Sequence, residues 1–237
     1  MRLAIMQPYF FPYIGYFSLI KHTDKFVLLD TVQFIRHGWI ERNRVLKQTG
    51  GWLYIKVPIK KNEGRYTLIR DIKIDNQEDW KKKIISQLQP YKKIAPHYKA
   101  VIGLITDVFE KDYDDIVSLN KASMEVVCDY LDIKRSFSVF SEMDLMIDKV
   151  TAPDEWALNI CKSIGVVDEY WNPEGGVNFF DVKKYARHGI VVRFIKHKIP
   201  SYAQGGLEFE SNLSIIDVLM FNDKVKVNHL IDEFYFL

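Results

Sequence analysis

The stretch Arg2–Phe17, "RLAIMQPYFFPYIGYF", decides the fold. Its first five residues, RLAIM, are a short apolar run of the kind that forms a buried strand, and the prolines at 8 and 12 then stop it. Gly15–His22 reads as a short helix and "KFVLLD" (25–30) as a second strand. Strand, turn, helix, strand is the opening of an α/β unit with parallel pairing. Six aromatic residues stand within the twelve positions Met6–Phe17, so the turn joining that strand to its helix is crowded with rings.

The rest of the chain extends this pattern. "GWLYIKVPI" (51–59) alternates as a third strand, and "LIRDIKID" (68–75) reads as a further edge strand. From 76 to 133 the spacing becomes helical, with three successive apolar sets: Trp80, Ile84, Leu88; Val101, Ile105, Val108; Ile116, Leu119, Val127. A strand at 136–140 follows, then a helix in "TAPDEWALNICKSIG" with Thr151 as candidate N-cap, Pro153 in its first turn and Gly165 at its end. "DEYWNP" (168–173) is a strand, "NFFDVKKYARHG" a helix and "IVVRFIKH" (190–197) a strand. Ser214 can cap the next helix, with Asp217 three residues on as in a capping box, and an amphipathic helix covers about 224–235. The expected fold is α/β: one domain over 1–237, a mostly parallel sheet with flanking helices and a central helical insertion at about 76–133. A nucleotidyl-transferase (HIGH-type) Rossmann-like arrangement is one form of it.

Composition narrows the class. Hydrophobic residues make up 48% and charged residues 27% of 237, which supports a folded core rather than disorder. Lys and Arg number 33 against 31 Asp and Glu, a net charge of +2 that gives no specific nucleic-acid signal. Lys81-Lys82-Lys83 beside Glu78 and Asp79 reads as a solvated helix face. Cys128 and Cys161 sit inside apolar helical patterns as buried thiols, in keeping with a reducing compartment. No apolar run reaches the roughly 18 residues of a membrane span, and no signal-peptide core precedes Pro8. The expected location is the cytoplasm.

Ligands of open α/β sheets bind where loops leave the carboxyl ends of strands. Three loops occupy that place. In the first, Tyr13-Ile14-Gly15-Tyr16 has the spacing of the His-x-Gly-His turn of HIGH-class nucleotidyl transferases, with tyrosines for both histidines. A phenol can hydrogen-bond a phosphate or hydroxyl but stays neutral near pH 7, so it cannot stabilise a leaving pyrophosphate as a cation does. The same rings could equally be core, with Gly15 permitting close packing. The second loop holds Asp30, Gln33, Arg36, His37, Trp39, Arg42, Asn43 and Arg44. Its acceptor, amides, guanidinium forks and indole suit a sugar, nucleotide or carboxylate, or else a solvated basic loop; Arg42 and Arg44 are read as pointing to opposite sides of an extended segment, so both need not reach one anion. The third contributes Asn172, Glu174, Gly175 and Gly176 before a helix, either a weak anion-binding turn or a plain one. Tyr202 and Gln204 in "SYAQGG" could close over the same end of the sheet. Histidines, cysteines and acids show no ligand spacing, so no metal is expected, and the residues single out no cofactor.

Taken together, "QPYFFPYIGYF" (7–17), "DKFVLLDTVQF" (24–34), Trp39, "RNR" (42–44), "NPEGG" (172–176) and "LSIIDVLMF" (213–221) resemble the WbqC-like protein family over nearly the whole chain. The resemblance implies work on an activated or lipid-linked sugar in surface-polysaccharide (O-antigen) synthesis, such as acyl or aminoacyl transfer to an amino sugar on a nucleotide or lipid carrier. Carried over residue by residue, it points to Gln7, Pro8, Tyr13, Gly15, Tyr16, Asp30, Gln33, Trp39, Arg42, Asn43, Asn172, Gly175, Gly176, Tyr202, Gln204, Ser214 and Asp217. Pro8, Gly15, Ser214 and Asp217 also have turn, packing or capping readings. A transfer of this kind needs a base near the amine, for which Asp30 and His37 are the candidates, with Arg42 and Asn43 orienting phosphate or carboxylate oxygen. A small-molecule sugar or nucleotide sugar is the expected partner. Two other readings stand beside it: a HIGH-type nucleotidyl transferase or ATP-dependent ligase, and a non-catalytic sugar-binding or assembly protein.

Overall fold

The computed structural model describes residues 1–60, 66–134, 136–198, 201–206 and 208–237. Its elements follow in the order β1 (Arg2–Met6), α1 (Ile14–His22), β2 (Lys25–Leu28), β3 (Arg42–Leu46), β4 (Trp52–Lys56), α2 (Trp80–Leu88), α3 (Tyr98–Phe109), α4 (Ile116–Tyr130), β5 (Phe137–Val139), α5 (Glu155–Ile164), β6 (Glu169–Pro173), α6 (Val182–Ala186), β7 (Val191–His197), α7 (Ile215–Phe221), α8 (Lys224–Asp232) and β8 (Phe234–Phe236).

Six strands form the main sheet in the order β5-β2-β1-β6-β7-β8. Every neighbouring pair is parallel except β7–β8, which is antiparallel, so the fold is α/β with a mixed sheet. Leu3 and Ile5 of β1 face one apolar layer while Ala4 faces the other, and Val27 alternates with Phe26 and Leu28 in β2 in the same way. Burial on both faces is what a parallel sheet requires, because its crossovers lay helices on each side. One layer is supplied by α5 and Tyr185 of α6. The other is larger and takes α1, α2, α3, α4, α7 and α8. The chain leaves β1 for β2 on one side, and β6 later joins β1 on the other. That reversal between β1 and β6 opens a crevice at their carboxyl ends.

Four expectations are corrected. The 51–59 strand does not extend the main sheet: β4 pairs antiparallel with β3 in a separate two-stranded ribbon. Alternation marks a strand but does not name its partner. Residues 68–75 form a single 3₁₀ turn at Ile69–Asp71 with isolated bridges at Leu68, Lys73 and Ile74 instead of a strand. Buried Ile69 and Ile72 lie three apart, the repeat of such a turn. The last helix ends at Asp232, and the aromatic Phe234–Phe236 adds an antiparallel edge strand to β7. Thr151 is not the cap of α5; its hydroxyl donates to Glu155 and Asp154 occupies the cap position.

Buried polar groups fix the turn after β1. Asn120 of α4 donates to the carbonyls of Pro8 and Ile40, each at 2.9 Å. Ser123, one turn on, accepts from the amide of Phe11. Asn43 of β3 donates to the carbonyls of Phe10 and Phe11, and Ser214, which caps α7, donates to that of Phe11 at 2.7 Å. Phe11 is held at φ 38, in the left-handed region that a phenylalanine rarely adopts. Its ring and that of Phe10 are thereby driven into the core, and both are fully buried. Among the described residues no helix is long and apolar enough to cross a membrane.

Candidate functional site

A cleft of about 1040 Å³ lies over the carboxyl ends of β1, β2 and β6. Met6 and Gln7 come from the end of β1, Leu29 from that of β2, and Asn172 and Pro173 from that of β6. Val32, Gln33, Ile35 and Trp39 line it from the loop after β2, and Val150–Pro153 with Trp156 line it from the segment that enters α5. Tyr9, Tyr13, Phe179 and Phe180 add four more rings.

Of the paired tyrosines, only Tyr13 lines the cleft. Burial pushes its hydroxyl up to about 12, with Tyr9 and Glu174 adding to the effect, so it remains a neutral donor. Tyr16 is fully buried beneath, its hydroxyl donating to the carbonyl of Gln7 at 2.5 Å. Gly15 makes this possible: a Cβ there would stand 2.5 Å from the Tyr13 ring. The turn therefore presents one phenol, and the expectation that both would face a ligand is corrected.

Six of the other expected residues line the same cleft: Gln7, Gln33, Trp39, Asn172, Gly175 and Gly176. The side chain of Asn172 donates to the Tyr170 hydroxyl at 2.7 Å, and its Oδ1 packs so closely on Gly176 that any side chain there would collide. Asn43 also reaches the lining, but its amide is committed to Phe10 and Phe11, which makes it a brace of the cleft floor.

Asp30, His37, Arg42, Tyr202 and Gln204 are not brought to the cleft. Asp30 is buried and its carboxylate accepts from both the amide and the hydroxyl of Ser141, tying the end of β2 to the turn after β5. His37 stands exposed at φ 63 on the outer loop, its amide donating to Glu41. Arg42 lies over the Tyr54 ring at 3.9 Å and donates to the carbonyl of His37. Arg42 and Arg44 do share a face of β3, since strand side chains repeat every two residues, but different rings hold them apart. Tyr202 and Gln204 join Tyr91 in donating to Asp217, at 2.6, 2.8 and 2.5 Å. Burial raises the Asp217 carboxyl above its ordinary value. This knot pins the 201–206 segment to α7, and Asp217 acts there as a core acceptor rather than in a capping box.

The missed lining residues, Thr151 and Trp156 above all, sit in the segment entering α5. Glu155 shapes that wall: one carboxylate oxygen accepts from the amide and hydroxyl of Thr151, at 2.8 and 2.6 Å, and from the amide of Ala152. The bonds from Thr151 hold its carboxyl down at about 2. Among the described residues two charged side chains line the cleft, Arg44 and Glu174, and Glu174 pairs with Lys196 at 2.9 Å. Among the described residues no group of three or more His, Cys, Asp or Glu stands together as a metal site would.

The chain matches the WbqC-like protein family over residues 7–229. It is also similar to the uncharacterized protein Rv1507c of Mycobacterium tuberculosis, 26% identical over 220 residues that cover 92% of each chain. No solved structure matches it.

Proposed function

Because the chain belongs to the WbqC-like protein family, we propose that it is a cytoplasmic transferase of surface-polysaccharide precursor synthesis, attaching an acyl or aminoacyl group to an amino sugar on a nucleotide or lipid carrier. The observation that carries this reading is the make-up of the cleft. Rings of Tyr9, Tyr13, Trp39 and Trp156 stand among the neutral polar groups of Gln7, Gln33, Thr151 and Asn172. Aromatic faces stack on the C–H face of a pyranose, while amides and hydroxyls match its own hydroxyl groups. At about 1040 Å³ the cleft is large enough for a sugar together with part of its carrier.

In this reading Asn172 and Gln7 orient the sugar, Trp39 stacks on it, and the Gly175–Gly176 turn admits it closely. Attack of the sugar amine on the donor carbonyl forms the new C–N bond, expels the donor's leaving group and releases a proton from nitrogen. Glu174, the carboxylate that lines the cleft among the described residues, is the candidate to take that proton. Asp30, buried on Ser141, has a structural part, and the exposed His37 has none in the transfer. Residues 76–133 act as an insertion in the same domain, bracing the turn through Asn120. The HIGH-type alternative draws little from the geometry, since Tyr16 lies in the core.

Incubation of the protein with a nucleotide-linked amino sugar and acyl-coenzyme A or aminoacyl donors, followed by mass spectrometry, tests the proposal. A mass gain equal to the transferred group is the expected result. Saturable sugar binding with no mass gain from any donor would instead favour a binding protein.

A further inference from the structure

Resting on the sugar-binding reading of the cleft, a second inference concerns its charge. Glu174 is neutralised by Lys196, whereas Arg44 forms no salt bridge among the described residues. Its guanidinium lies instead over two indoles, 5.4 Å from the ring centroid of Trp39 and 5.2 Å from that of Trp52. One terminal nitrogen donates to the carbonyl of Asn212 at 2.9 Å, and Nε is buried without a partner. Arg44 is half-buried, its terminal nitrogen still reached by solvent and, among the described residues, with no carboxylate opposite it; partial burial of a cation without a counter-charge carries a cost. Cation–π attraction to the two rings returns part of that cost and restrains the side chain.

We propose that Arg44 is an oxyanion-recognition residue of the cleft, and that the ligand carries a phosphate or carboxylate which the guanidinium fork receives. The two indoles restrain the side chain, so little of its freedom is lost on binding. The anion could be the carrier's phosphate or the carboxylate of an acidic sugar, and the probes below separate the two.

Isothermal titration of wild type and Arg44→Met with N-acetylglucosamine, its 1-phosphate, its uridine diphosphate derivative and glucuronate reads the preference directly. Wild type is expected to bind a phosphorylated or carboxylated probe at least about tenfold more tightly than the neutral sugar, and Arg44→Met to lose about ten- to a hundredfold on that probe alone. Tighter binding of the phosphorylated probes assigns the anion to the carrier; tighter binding of glucuronate assigns it to the sugar. Rising potassium chloride should weaken anion binding by wild type and leave neutral sugar binding unchanged, which decides the matter even if Arg44→Met fails to fold. Equal affinity of wild type for charged and neutral sugars, or an equal loss on both in the variant, overturns the inference while leaving the sugar reading intact. Failure of wild type to bind any of the four probes overturns both.

Discussion

The side-chain amide of Asn43 donates to the carbonyl of Phe11 at 2.8 Å, across 32 residues of sequence, and holds a phenylalanine in the left-handed region. The same amide also serves Phe10. Asn43→Ala should therefore lower stability by about 1–3 kcal/mol, since the carbonyl of Phe10 is left in the core without this donor. Chemical denaturation reads the loss; an unchanged midpoint and slope would remove Asn43 from its role as brace.

Tyr13 and Tyr16 should separate in experiment because one faces the cleft and the other the core. Tyr13→Phe is expected to keep the melting temperature and weaken ligand binding several-fold. Tyr16→Phe should do the reverse, costing about 1 kcal/mol through the orphaned carbonyl of Gln7 with binding retained in the folded protein. Paired thermal melts and titrations check both halves.

Asp30→Asn tests whether this carboxylate is structural. Its two oxygens are occupied by Ser141, so the substitution should destabilise by about 1–3 kcal/mol and leave ligand affinity within about threefold of wild type. A normal melt with abolished turnover would return Asp30 to the chemistry.

Glu155 gives the cleft wall a pH dependence. Its folded carboxyl lies near 2, below the ordinary 4.5, chiefly because Thr151 donates to it. Folding is thus favoured by the ionised form: the contribution is complete above about 4.5 and disappears as pH falls through about 2. Stability curves of wild type and Glu155→Gln should converge across that acid window and run parallel above it. Parallel curves throughout would show that Thr151 does not depend on this charge.

Much of the fold could be read from apolar spacing. β1, β2 and β7 are short runs rich in apolar residues, β6 carries the aromatic pair Tyr170–Trp171, and the helical repeats at Trp80–Leu88, Val101–Phe109 and Ile116–Leu131 correspond to α2, α3 and α4. The carboxyl-end rule placed the cleft at the loops of Gln7, Gln33 and Asn172. What could not be read are the bonds made over long separations. Asn120 reaches Pro8 across 112 residues, and no local pattern encodes such a contact. The one available sign was an asparagine in the apolar sequence of α4, a polar group that must find a partner when buried. Tyr202, Gln204 and Asp217 form a polar set that looks like a binding site in sequence, yet they satisfy one another. The Thr151–Trp156 wall carried only helix-start signals, because its place depends on α5 packing against the opposite face of the sheet from α1.

The cleft as the sugar site is tested most directly by obstructing it. Gly175 lines the cleft and a Cβ built there meets nothing within 4 Å, so Gly175→Trp can fill the space without displacing the fold. Titration of a uridine diphosphate amino sugar into both proteins should show saturable binding to wild type and none to Gly175→Trp of equal melting temperature. Undiminished binding by the folded Gly175→Trp protein would place the ligand elsewhere and contradict the account.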